Sequence, residues 1–316
     1  FGTNVIGSST VDPMLIRWSD QESVVDWTPA ATNQAGSLRL SQGSEIVAAA
    51  QSRQAILVWT DAALYALQYT GPPIVWGATL VGENISIVSK NAVAYANGIA
   101  YWMGADKFYK YDGATSTLVC DVRRYIFNDF NLDQAPQVFA GTNEAFHEIW
   151  WFYCSASADV CDRYVIYNYV QRIWYYGTLA RTAWLDVGIN DFPRAATSSS
   201  NNLVQHEVGV DNAETATPAA INASISSAQF DLDDGHNLML ISRMMPDVTF
   251  SGSTSDSPSV VMSVTRTVTT PIEQFTEQIF LRVRGRQVSF KIESTETGVT
   301  WQLGSPRLDM RPDGRR

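Results

Sequence analysis

The chain has 316 residues and a formal net charge of −10, from 22 Lys+Arg against 32 Asp+Glu. Charged residues are 17% and aromatics 11%, which suits one large folded domain or two ordinary ones and excludes a disordered segment. The acidic balance excludes a protein that grips nucleic acid along a basic face, three Cys exclude a disulfide framework, and three His leave little for metal or acid–base chemistry.

The chain begins at Phe1 rather than Met, as a processed chain or a piece of a longer one would. Phe1-Gly2-Thr3-Asn4 lacks the charged and apolar regions of a signal peptide. Asp20, Glu22 and Asp26 then cluster near Trp18 and Trp27. Acid beside aromatic is a sugar-binding composition, so both Trp are candidate surface aromatics. The competing reading is turn carboxylates with Trp in the core. Ala62 to Gly82 is apolar enough to suggest a membrane span, but Gly71-Pro72-Pro73 sits in its middle. Two strands joined by a turn are expected there, and no membrane partner.

Short runs of Val, Ile, Tyr and Trp bounded by Gly, Asn, Asp or Ser predict strands almost throughout. A two-strand unit recurs. Ile56 to Asp61 leads into Leu64 to Leu67, Ile99 to Gly104 into Phe108 to Tyr111, and Ile149 to Phe152 into Tyr164 to Tyr167. Trp follows Ile by three residues in the first two units, and Phe152 takes that place in the third. The spacing is 43 and then 50 residues, the size of propeller blades. One short helix is expected within Asp121 to Phe130.

Candidate chemistry is sparse. Cys154 and Cys161 do not form a CxxC pair, and His147, His206 and His236 lack zinc-ligand spacing. His147 beside Glu148 could serve as an acid–base residue, although a histidine at a strand edge is commoner. Asp231-Leu232-Asp233-Asp234-Gly235 opens like a calcium loop, but its Gly falls at position 5 and Ser242 at position 12, so an acidic turn is expected. GxSxG and Walker motifs are missing, as is the S-x-D-x-G-x-T-W box of sialidase-like propellers. No cofactor, metal or catalytic residue is expected.

Nine of the ten Trp lie at or before Trp184, and 195–228 holds no aromatic residue. Residues 281–316 carry 8 Lys+Arg and 4 Asp+Glu, against 14 and 28 in the rest. In Leu281-Arg282-Val283-Arg284 apolar and basic residues alternate, and the parity reverses after Gly285, which predicts a bulge there. Arg282, Arg284 and Arg286 are candidate contacts to an acidic neighbouring subunit, or partners of the chain's own acids. The expected fold class is all-β: a β-propeller-like body of antiparallel hairpin repeats with additional C-terminal strands. The expected regions are an aromatic-rich body over 1–194, a polar loop-rich region over 195–259, and a C-terminal β region over 260–316.

Several stretches resemble the tail nozzle, or tail accessory, proteins of short-tailed bacteriophages. They are Ile16-Arg17-Trp18-Ser19-Asp20, Asp26-Trp27-Thr28-Pro29, Gly36-Ser37-Leu38, the hairpin from Ile56 to Tyr69, Phe230 to Gly235, and Met245-Pro246-Asp247-Val248-Thr249-Phe250. The most specific are Arg282 to Gln287, Trp301-Gln302-Leu303-Gly304, and Arg307 to Arg316. The resemblance implies a non-enzymatic structural protein of the virion tail. It would form a homo-oligomeric ring, a hexamer in the usual form, with a tail adaptor protein above and tail fibre or needle proteins nearby. Packaged double-stranded DNA would be retained and ejected through the ring without tight binding, and an acidic lumen would favour passage. Two other classes remain open: a carbohydrate-binding tail adhesin, and a propeller glycosidase with paired carboxylates.

Overall fold

The computed structural model describes residues 4–53, 55–188, 190–198, 200–232, 235–264 and 268–314. It divides into two compact units, 1–207 and 208–316. That boundary falls inside the polar region expected as a third part.

The first unit is a β-propeller-like succession of antiparallel sheets, each with its strands in chain order. The first sheet is β1 (Ile6–Ser8), β2 (Leu15–Trp18) and β3 (Gly36–Arg39). The second is β4 (Ile46–Gln51), β5 (Ile56–Thr60), β6 (Ala63–Gly71) and β7 (Val75–Glu83). The third is β8 (Val93–Ala96), β9 (Ile99–Met103), β10 (Phe108–Tyr111) and β11 (Thr115–Leu118). A helix, α1 (Arg123–Asp129), follows where a short one was expected. The fourth sheet is β12 (Phe139–Asn143), β13 (Glu148–Tyr153), β14 (Arg163–Asn168) and β15 (Ile173–Thr178). The fifth is β16 (Arg181–Leu185), β17 (Arg194–Thr197) and β18 (Leu203–Gln205).

The turns follow local chemistry. Asn97-Gly98 joins β8 to β9 with both residues at positive φ, and Gly113 closes the β10–β11 hairpin at φ 107°. Ala63–Gly71 and Val75–Glu83 are paired strands, so the apolar stretch is a hairpin. No helix among the described residues is long and apolar enough to cross a membrane.

Each hairpin read from the sequence is the middle pair of a larger sheet. The register of the third repeat differs by one residue from the sequence reading. Trp59, Trp102 and Trp151 are each the fourth residue of their strand, and each is fully buried. Glu148, not Ile149, therefore matches Ile56 and Ile99. Half-buried Glu148 opens β13 where an Ile opens β5 and β9, and the adjacent Trp150 and Trp151 disguised this match in the sequence.

Indole N–H groups tie neighbouring sheets. Trp151 Nε1 donates to Ala92 O at 3.0 Å, and Trp184 Nε1 donates to Thr142 O at 2.7 Å. Ala140 N–H reaches Asn91 O at 2.8 Å, and Thr115 Oγ1 reaches Val81 O at 2.9 Å. Such bonds satisfy polar groups that the aromatic core would otherwise strand.

The second unit contains β19 (Asp211–Asn212), β20 (Ala219–Ala220), β21 (Ala223–Ser226), β22 (Met239–Met245), β23 (Val248–Thr249), β24 (Ser259–Val264), β25 (Val268–Glu273), β26 (Ile279–Gly285), β27 (Phe290–Ser294), β28 (Gln302–Leu303) and β29 (Arg307–Pro312). Its larger sheets run β21-β27-β24-β25 and β26-β22-β29. One face of β24 and one of β26 are buried at every second residue, which is how an alternating sequence forms a one-sided sheet. The parity reversal after Gly285 is not a bulge within one strand. Gly285 ends β26, and Phe290 opens β27 in the other sheet. The irregularity is instead in β22, between Ile241 and Arg243.

Candidate functional site

Packing of the β12–β15 sheet against β16–β18 builds an aromatic slit. Trp150 stacks on Trp184 with centroids 4.9 Å apart, and on Tyr164 at 5.0 Å. Gly141 is what lets Trp184 lie there, since a Cβ at that position would come within 2.3 Å of the indole ring. His206 packs on Trp184 at 4.8 Å, and its Nε2 accepts from Arg181 Nε at 3.0 Å.

Two carboxylates stand at this slit. Glu148 sits directly across the strand from Asn143 and accepts a hydrogen bond from Trp150 Nε1 at 3.0 Å. Asn143 is fully buried and donates Nδ2 to Glu207 Oε1 at 3.1 Å. Burial pushes the Glu148 carboxyl up from its ordinary value, and the charge of Glu207 adds to the rise. Glu207 is also raised by desolvation, but it keeps much of its surface in water, so the effect is held more firmly at Glu148. The cause is an aromatic wall that cannot solvate an anion. The sequence offered Glu148 only as a neighbour of His147. That histidine caps a turn at φ 60°, is exposed, and meets Tyr169 OH at 3.3 Å.

A raised carboxyl beside aromatics is the composition of a general acid. Around these carboxylates Asn143 and Phe152 are fully buried and Trp150 is 8% exposed, so the wall of the slit is core packing. The Asn143–Glu207 hydrogen bond makes the arrangement a clasp between two sheets. A nearby pocket of about 400 Å³ is lined by Thr142, Glu144 and Asp186. Asp186 Oδ2 already accepts from Thr142 Oγ1 at 2.6 Å and from Glu144 N–H at 3.1 Å.

The sequence-predicted residues fall in separate places. Trp18 is not a surface aromatic. It is 4% exposed, donates Nε1 to Gln34 O at 2.7 Å, and covers Gly36 so closely that a Cβ there would clash at 2.5 Å. Trp27 is half-buried, and its carbonyl accepts from Arg17 at 2.8 Å. Asp20 and Asp26 accept bonds from Gln34 N–H and Thr28 N–H, so they are turn carboxylates. An exposed aromatic pair lies elsewhere: Tyr125 on α1 and Tyr176 on β15, each about half exposed, with ring centroids 4.4 Å apart. Sequence spacing could not bring these two together.

The arginine row divides. Arg282 and Arg284 share the exposed face of β26 with Phe280, which is 74% exposed. Arg284 pairs with Asp313 at 2.7 Å, Arg286 donates to Gly235 O at 3.1 Å, and Arg282 has no ion pair among the described residues. Cys154 and Cys161 are buried thiols with sulfurs 3.8 Å apart, both pushed up by burial, while Cys120 is pushed up to about 11. None is a poised nucleophile. The described residues contain no group of His, Cys, Asp and Glu able to hold a metal ion. Asp233 and Asp234 of the acidic turn lie outside the described residues.

No protein-family model matches the chain, and no curated protein does. Among solved structures, Hsv2 of Kluyvelomyces marxianus aligns over 62% of this chain at 8% identity and a TM-score of 0.39, and the alignment spans 57% of Hsv2. The exo-β-1,3-galactanase of Phanerochaete chrysosporium aligns over 98% of this chain and 96% of its own length, at 10% identity and a TM-score of 0.31. The extracellular domain of BT4673 from B. thetaiotaomicron aligns over 96% of this chain and 56% of its own, at 6% identity and a TM-score of 0.25. None of these carries an activity over to this chain.

Proposed function

We propose that the chain is a structural subunit of the tail of a short-tailed bacteriophage. It assembles as a homo-oligomeric nozzle ring, a hexamer in the expected form, between a tail adaptor and fibre or needle proteins. Duplex DNA is retained by the assembly and ejected through it. The chain is not an enzyme in this reading.

The supporting observation is the fate of its cations. Arg39 pairs with Asp12, Lys110 with Asp112, Arg123 with Asp106, Arg163 with Asp129, Arg243 with Asp309 and Arg284 with Asp313, all within 3.1 Å. Local acids thus hold six of the 22 cations, while acids outnumber bases overall. Such a surface repels phosphate instead of gripping it, which suits passage. Negative-stain imaging of the purified assembly tests the proposal. Rings with a duplex-wide hole, together with no DNA retention in a low-salt gel shift, are expected. A compact monomer overturns it.

One observation favours a second reading. Tyr125 and Tyr176 form an exposed aromatic platform of the kind that stacks on sugar rings, which suits a tail adhesin. Glycan-array binding lost in Tyr176→Ala would establish it. Cleavage of a polysaccharide by the purified protein would instead overturn the non-enzymatic reading.

A further inference from the structure

The strand β29 is an open edge. Among the described residues it pairs with β22 only, and every residue of the strand but the half-buried Leu308 is exposed. Asp313 N–H donates to Leu238 O on the β22 side at 2.7 Å. Backbone groups alternate in direction along a strand, so Arg311 and Asp309 also bond toward β22. Leu308, Met310 and Pro312 therefore present their backbone groups to the open side. Pro312 sits where a missing N–H costs the sheet nothing.

The side chains on this strand alternate in charge. Arg307, Asp309, Arg311 and Asp313 share one face, as the pairing of Asp309 with Arg243 and of Asp313 with Arg284 shows. Arg307 and Arg311 have no ion pair among the described residues, and both are exposed. Met310, at the centre, is 42% exposed.

We propose that β29 pairs antiparallel with β29 of a second copy, with a two-fold axis through Met310. In that register Arg307 faces the partner's Asp313, and Asp309 faces the partner's Arg311. Symmetry repeats both contacts. Met310 exchanges two backbone hydrogen bonds with the partner's Met310, and each Leu308 N–H reaches the carbonyl of the partner's Pro312. Sliding the pairing by one step either way that keeps the edge groups facing puts Arg307 against Arg311 with Asp309 against itself, or Asp309 against Asp313 with Arg311 against itself. Like charges directly opposite are destabilising, so charge alone selects the register. The open edge is thereby satisfied without being blocked by a loop.

This pairing does not depend on the nozzle reading. It joins copies in twos, whether these are free subunits or members of two facing rings. A single strand pair covers less than the roughly 1,200 Å² at which stable complexes begin, so the association is weak and salt-sensitive.

A cysteine at the two-fold axis tests it. Residues exchanging two backbone bonds have Cα atoms about 5.5 Å apart, inside the roughly 4.4–6.8 Å range of disulfides. Met310→Cys in a Cys120→Ser background should form a covalent dimer under mild oxidation, while Leu308→Cys should not. Cys154 and Cys161 are buried and stay silent. Met310→Pro removes the central donor and should weaken self-association by about tenfold or more in sedimentation at low salt. R307D/R311D should lose self-association and regain it when mixed with D309R/D313R, with circular dichroism confirming that each variant is folded. Crosslinking at 308 equal to or above that at 310, or self-association unchanged by Met310→Pro and by R307D/R311D, overturns the proposal, as does a Met310→Cys variant that stays uncrosslinked under oxidation.

Discussion

In residues 1–207 the largest buried side chains are Trp59, Trp76, Trp102, Trp151, Tyr153, Phe108 and Phe152, whereas the buried core of 208–316 includes Met239, Ile241, Met244, Met262, Val264 and Ile292, with Phe250 the only buried aromatic among its described residues. The difference follows from how sheets meet. The first unit stacks sheet after sheet along the chain, and flat rings fill the gaps, two of them reaching across with an N–H. Trp151 and Trp184 show this, each bonded to a backbone carbonyl of the preceding sheet. The second unit packs alternating aliphatic faces, where shape and period suffice. Aromatic bodies thus gain orientation from directed bonds, and aliphatic ones gain cohesion from area alone.

Core truncation should separate the two most sharply. Trp151→Ala removes a fully buried ring and its bond to Ala92, at a cost of about 3–5 kcal/mol. Met262→Ala in the second unit should cost about 2–5 kcal/mol. Denaturant unfolding followed by Trp fluorescence reports chiefly on the first unit, since nine of ten Trp lie there, and far-ultraviolet circular dichroism reports on both. Met262→Ala should move the second signal more than the first. If both signals move together for both variants, the two cores unfold as one.

A smaller effect is expected at the clasp. The folded-state pKa of Glu148 is raised, so folding is penalised above that pKa, and the penalty fades as pH falls toward the ordinary glutamate value. Glu148→Gln should therefore raise Tm at neutral pH, with the gain closing near pH ~4. A gain that persists at acid pH would trace to packing instead of charge.

The smallest effect belongs to the surface of the second unit. Arg243 and Asp309 are 39% and 46% exposed, so Arg243→Ala should cost no more than about 1 kcal/mol and less in high salt. A larger loss in thermal melts would mean that this pair orders β22 and β29 as directed bonds order the first unit.

Short aromatic runs between Gly, Asn and Asp were enough to read strands, the hairpin at Ala63–Glu83 and the helix at α1, because turn chemistry and period are local. The four-strand size of the repeat was less legible. Its outer strands, such as Thr115–Leu118 and Phe139–Asn143, carry weak apolar signals. Trp18 shows the same limit at a candidate site, since Gly36 and Gln34 determine its burial from another strand and a loop.

The sequence by itself determined the all-β class, the blade-sized repeat, the acidic balance and the apolar–basic alternation of Leu281 to Arg284. All of these depend on composition and on neighbours along the chain. The tertiary structure alone decided that Trp151 is the third member of the repeated Trp, that Glu148 meets Glu207 through Asn143, that Tyr125 and Tyr176 are the exposed pair, and that β29 is an edge. Those depend on which strands lie side by side, and pairing between distant segments is written in their packing.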